Sequence, residues 1–276
     1  MLSFDYTMEL DFGNAAIEGP FGAQQDPQAS LAREHAFTLR CLPQELPCQH
    51  VLDSRILIEP QTELTFQTDA FGNRYCYGLI HQPHDVFRVQ VKGRAERYPE
   101  RREAVSVPNM VMYRSQSANT RPGPHIDQFY RDLQQEHSEE EDDLALAVRI
   151  RDFVHDGIVY TPGATFYDTT AEQAAKGGKG VCQDLSHIML SLCRMFSIPC
   201  RYTAGLLLGE GRSHAWVEVC YKGSWYPMDP TNPQIAWDEQ IIFSHGRDAV
   251  DCKINRGTYI GPSAQMQFIT AAVEKE

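Results

Sequence analysis

The sequence predicts an α+β protein: an N-terminal β-sandwich followed by helices packed on an antiparallel sheet. Three observations predict it. Apolar residues alternate with period two through the first hundred residues, the spacing lengthens to three and four after a proline-interrupted stretch, and β-like runs return beyond residue 200.

Taken in order, Tyr75, Tyr77 and Leu79, then Phe87, Val89 and Val91, repeat at the period of half-buried strands. Asp69-Ala70-Phe71-Gly72-Asn73 separates two such runs with turn residues and predicts a hairpin. Pro99, Pro108, Pro122 and Pro124 break the next stretch, which reads as a connection. The domains are therefore placed at 1–98 for the sandwich, 99–124 for the connection and 125–276 for the mixed domain.

In that last domain the acidic run Glu139 to Asp143 precedes a helical pattern through Leu144, Val148, Phe153 and Val154 that ends near Gly157. Carboxylates there favour the positive end of a helix. Thr169-Thr170-Ala171-Glu172 has the form of a capping box and predicts a short helix before Gly177. Leu185, Ile188, Met189, Leu192, Cys193 and Phe196 define the strongest helix, beginning at or just after Cys182 and stopping before Pro199. Strands are expected over 201–208, 214–219, 224–229 and 266–273.

The formal net charge of −12 argues against a nucleic-acid partner, because phosphate neutralisation needs clustered Lys and Arg. No run of eighteen apolar residues and no basic-then-apolar leader occurs, so no membrane partner and a cytoplasmic location are expected. The eight cysteines form no Cys-x-x-Cys pair, and neither a zinc site nor a disulfide scaffold is expected. Cys193 and Cys200 read as packing residues, and no cofactor is expected.

One cysteine stands apart. A thiol at the opening of a helix meets unpaired backbone N–H groups that favour the thiolate, and Cys182 follows Gly177, Gly178 and Gly180 into such a start. His214 opens one predicted strand and Asp229 ends the next. Pairing Val219 with Ser224 around a four-residue loop sets His214 directly opposite Asp229. A tighter turn centred on Gly223 separates them by roughly 10 Å on this reckoning, so the longer loop is the expectation. Thiol, imidazole and carboxylate would then form a nucleophile, its acid-base partner and the group that orients the ring.

Several neighbours of these three residues read less sharply. Asp184 fits a stabiliser of the first helical turn, and His187 points to another face of the helix than Cys182. Trp216 and Trp225 read as core or cleft walls, and Arg247 with Asp248 as a pair made with each other or with the sheet. A metal site from Cys182, His187 and His214 lacks a characteristic spacing and is set aside.

The segments Gly180 to His187, Ile198 to Tyr202, Ser213 to Val219, and Trp225 to Asn232 together resemble the core of the bacterial transglutaminase-like superfamily, in the order Cys, His, Asp. Leu39-Arg40 through Val91 is similar to the β-rich region that accompanies this core, and Gly246-Arg247-Asp248 with Arg256-Gly257 and Gly261 to its closing segment. Leu185-Ser186 in place of Phe-Ala, and Ala249 with Lys253-Ile254-Asn255, depart from the pattern and bear on substrate shape. The resemblance implies a papain-like or transglutaminase-like core in which Cys182 attacks an amide or ester carbonyl and an acyl-enzyme forms. The backbone N–H of Cys182 is the first oxyanion donor expected, with Tyr160 or Gln183 as candidates for the second. Hydrolysis of a peptide, protein or small amide is the leading expectation. Transfer to an amine, and a non-enzymatic interaction module with a remnant triad, are the alternatives.

Overall fold

A computed structural model of the chain describes residues 1–13, 31–138, 140–209, 211–234, 236–261 and 265–276. Glu139, the first member of the acidic run, lies outside the described residues.

The strands of the first half are β1 (Leu2–Asp11), β2 (Arg33–Leu39), β3 (Gln49–Glu59), β4 (Thr65–Thr68), β5 (Arg74–Ile80) and β6 (Val86–Arg97). Every second residue of β1 is buried, as alternation requires of a strand with one face on a core. The hairpin between β4 and β5 forms where the turn residues stand: Asp69 Oδ1 accepts from the N–H groups of Phe71 and Asn73 at 2.9 and 3.0 Å, and Gly72 takes φ +86°.

Beyond the strands come α1 (Val107–Arg114) and α2 (Pro124–Gln135), both inside or at the edge of the stretch read as a connection. Prolines occupy the first turn of each, where a missing N–H costs nothing, so residues read as breakers are starters. The helix α3 (Asp143–Gly157) is capped by Asp142, which accepts from Leu144 and Ala145. For α4 (Ala171–Gly177) the cap lies one residue later than the sequence suggested: Thr170 and Gln173 close the box. Glu172 instead accepts from the N–H groups of His125 and Ile126, both at 3.0 Å, and caps α2. Short strands β7 (Val159–Tyr160) and β8 (Lys179–Gly180) pair in parallel and lead into α5 (Cys182–Met195).

The remaining strands are β9 (Cys200–Leu207), β10 (Ser213–Tyr221), β11 (Ser224–Met228), β12 (Gln240–Gly246), β13 (Asn255–Ile260) and β14 (Met266–Lys275). Helix α5 packs on a sheet of order β11-β10-β9-β12, and Ala215, Val217 and Val219 of β10 face its buried side.

The division at residue 125 is not followed by the sheets. β14 pairs with β1 and β13 with β2, so the two sheets of the sandwich have the orders β14-β1-β6-β3 and β13-β2-β5-β4. The closing segment completes the N-terminal sandwich, because β1 and β2 would otherwise carry unpaired backbone edges.

Sandwich and mixed sheet also share a core, where Phe243 of β12 meets Phe4 and Tyr6 edge-on at centroid distances of 6.4 and 5.7 Å. The outer edge of β12 is capped by side-chain amides of the sandwich half. Gln49 accepts from Ile242 N–H at 2.8 Å and donates to its carbonyl at 3.0 Å, and Asn73 does the same to His245 at 2.9 and 2.7 Å. Each carboxamide substitutes for one residue of a neighbouring strand. The anchored β12 holds β9, and β9 in turn holds β10 with His214.

Candidate active site

Cys182 is the first residue of α5, partly exposed, with Val181 as the helix cap. A Val side chain cannot accept a hydrogen bond, and Asp184 does the capping from inside the helix. Its Oδ2 accepts from Val181 N–H at 2.8 Å and from Thr165 Oγ1 at 2.6 Å. Gly180 gives the carboxylate room, since a Cβ there would lie 2.6 Å from the Asp184 Cβ. Burial raises the proton affinity of Asp184, while Thr165 and Val181 pull it back down. The expected role at the helix start is the one it occupies.

His214 is buried and donates through Nε2–H to Asp229 Oδ2 at 2.7 Å. The other oxygen of Asp229 accepts from the N–H groups of Thr231 and Asn232 at 2.8 and 3.1 Å, which fixes the carboxylate. The Cys182 thiol is the second partner of the ring, acting on it through a hydrogen bond and its charge. Burial alone would lower the proton affinity of His214; the hydrogen bonds to Asp229 and Cys182, with their charges, outweigh it and push it up to about 10.

The expected four-residue loop between β10 and β11 is not formed. Tyr221 pairs with Ser224 around Lys222 and Gly223, whose φ of +49° and +77° suit the tight turn of a two-residue hairpin. The predicted register is thus displaced by two residues, and Trp216 rather than His214 is the position opposite Asp229 when the ladder is continued past Met228. A two-residue slip keeps the same face of the sheet, and diagonal neighbours about 7–8 Å apart lie within side-chain reach. The contact survives the wrong register for that reason. Trp216, fully buried, stacks on His214 with centroids 6.2 Å apart and planes inclined by 19°, walling one side of the ring.

The other named residues fall into place around these three. His187 is fully buried and its Nε2 accepts from Ala249 N–H at 3.2 Å, so it ties α5 to the segment after β12. Burial, against the pull of Asp248, brings its proton affinity down to about 4 and leaves the ring neutral at pH 7. Arg247 pairs with Asp251 rather than Asp248, through Nε at 2.8 Å and Nη2 at 3.0 Å. The side-chain amide of Gln183 is used by the Tyr167 carbonyl at 3.1 Å, which leaves its backbone N–H as the group it could offer an oxyanion. Tyr160 is half-exposed and pairs with Gly180, beside the segment that leads to the thiol. Among the described residues, neither the Cys182 nor the Gln183 N–H has a hydrogen-bond partner, as expected of a first helical turn.

Two residues escaped the sequence reading. Tyr202 of β9 is buried beside the site, its phenol pushed up first by burial and then by Cys182, and only its place in the Ile198–Tyr202 segment could have marked it. Thr165 sits in a loop with no pattern of its own, and its hydrogen bond to Asp184 has no signature in spacing.

The model of the transglutaminase-like superfamily core matches residues 131–230, and that of the bacterial transglutaminase-like N-terminal region matches 29–96. The chain belongs to the transglutaminase-like superfamily. This transglutaminase-like chain is 36% identical over 115 residues to an uncharacterized protein of Mycobacterium leprae, a match covering 38% of this chain and 41% of that one. It is 26% identical over 120 residues to an uncharacterized protein of Mycobacterium tuberculosis, covering 38% of each. The matched region thus spans about two fifths of the length of these curated relatives. The solved structure of a Cytophaga hutchinsonii protein, named as a candidate cysteine protease, superposes with a TM-score of 0.72 at 18% identity, covering all of this chain and 93% of that one. That likeness shows the fold.

Proposed function

We propose that the protein is a cysteine-dependent amide hydrolase acting through Cys182, His214 and Asp229 by way of an acyl-enzyme. The observation that carries this reading is the single imidazole held between a helix-start thiol and a backbone-fixed carboxylate. His214 already holds the thiol proton as imidazolium, so the Cys182 thiolate bonds to the amide carbon directly, and the ring gives that proton to the departing amine as the C–N bond breaks. The free N–H groups of Cys182 and Gln183 are disposed to receive the negative oxygen of the tetrahedral intermediate. Water then attacks the thioester with His214 as base, the acid departs, and the thiol is restored. Asp229 keeps the ring in one orientation throughout and balances the imidazolium.

Incubation with glutamine-containing peptides and a labelled primary amine tests the choice of acceptor. Release of ammonia or cleaved peptide is expected to exceed amine incorporation. Incorporation outrunning hydrolysis would make the protein a transamidase instead.

The raised proton affinity of His214 gives a pH prediction. A histidine held more tightly in the fold than its ordinary 6.5 contributes stability that is complete below 6.5 and is lost as pH rises through about 10. In a protein labelled at histidine, NMR should show the His214 ring titrating near 10, and Asp229→Asn should move that transition to lower pH. A wild-type ring that titrates below 7 would contradict the ion-pair arrangement.

A further inference from the structure

The outer face of the sandwich sheet β13-β2-β5-β4 carries a groove of 440 Å³ that the proposed chemistry does not use. Its floor is β2, where Ala36 and Thr38 are short, between longer side chains on both neighbouring strands. One wall is aromatic, made by Tyr75 and Tyr77 of β5. Arg256 of β13 stands on the opposite side, directly across from Thr38, and Arg40 closes one end of the floor two residues beyond Thr38.

The walls are held in place before any ligand arrives. Tyr75 donates to Gln67 Oε1 at 2.8 Å, and the Arg40 guanidinium lies over the Tyr75 ring, 5.1 Å from its centroid. Arg40 uses Nε on Asp69 at 3.1 Å, and among the described residues its two terminal nitrogens make no hydrogen bond. Arg256 is exposed and has no ion-pair partner among the described residues. On a chain with a net charge of −12, two guanidiniums facing one groove mark a place for anionic groups.

We propose that this groove binds an extended acidic peptide whose carboxylates stand on alternate residues. Arg256 and Arg40 are diagonal neighbours on one face, about 7–8 Å apart at the backbone. An extended chain presents same-side residues every ~6.7 Å, so one carboxylate reaches each guanidinium while the intervening chain lies against the tyrosines. The sandwich then acts as a docking site for acidic protein segments, independently of what Cys182 does.

The test uses the full chain with Cys182→Ala, so that nothing is turned over. Fluorescence anisotropy is read with a labelled peptide of alternating glutamate and alanine, with its isomer carrying the glutamates in one block, and with a polyuronate oligosaccharide. The alternating peptide should bind best and weaken as salt rises. Arg256→Ala and Tyr77→Ala, both at exposed positions, should each weaken it by about fivefold. Absence of binding, equal affinity for the two peptides, indifference to both substitutions, or preference for the oligosaccharide would each overturn the proposal.

Discussion

Cys182→Ala is expected to abolish turnover and to leave the fold intact. The side chain is partly exposed at the first position of α5, so its loss opens no cavity and removes no cap, since Asp184 performs the capping. His214→Ala should reduce turnover almost as far, because the thiol and ring act as one unit and their losses are not additive. Circular dichroism and the unfolding midpoint should be unchanged for Cys182→Ala. Before any substrate is found, iodoacetamide near neutral pH should label Cys182 far faster than the other seven cysteines, six of which are buried. Robust turnover by the alanine variant, or slow and equal labelling of all eight thiols, would leave only a binding module.

Glu218→Ala should be the most damaging substitution away from the site. Arg201 is buried, with Nε 2.6 Å from Glu218 Oε2, Nη2 2.7 Å from Glu103 Oε2, and its guanidinium 4.4 Å from the centre of Trp225. Burial opposes the charge on Arg201, and the two carboxylates restore it and hold the proton affinity well above the ordinary value. Removing Glu218 leaves the buried guanidinium with Glu103 as its remaining carboxylate, which costs up to about 3–5 kcal/mol. Urea unfolding should register that loss. Exchanging Arg201 and Glu218 together for apolar residues of similar volume should cost less, because the one charge left without its partner, Glu103, is partly exposed to water. A loss below about 1 kcal/mol for Glu218→Ala would mean that water reaches the guanidinium.

The helices α3 to α5, the strands β9 to β11 and the grouping of Cys182, His214 and Asp229 were legible because each rests on a periodicity or a motif that is local in sequence. Features that depend on partners far along the chain were not. Thr169 and Thr170 are equally good caps in sequence, and the choice fell to Thr170 because Glu172 is drawn away to the start of α2. Pro124 reads as a breaker until the residues after it are seen to pack Ile126 and Leu133 into the core. The hairpin register was misjudged because Lys222 takes a left-handed φ, which few non-glycine residues adopt and which spacing does not reveal.

The pairing of β14 with β1 and of β13 with β2 bears on how the polypeptide is made. Two strands synthesised early must wait for two of the last to be synthesised, with the thiol-bearing helix and its sheet strung between them. Loop closure across most of the chain then comes before either sandwich sheet is finished, an order of events that makes for slow folding. A nascent chain stalled before residue 255 would present β1 and β2 as open templates to any neighbour with a strand to spare.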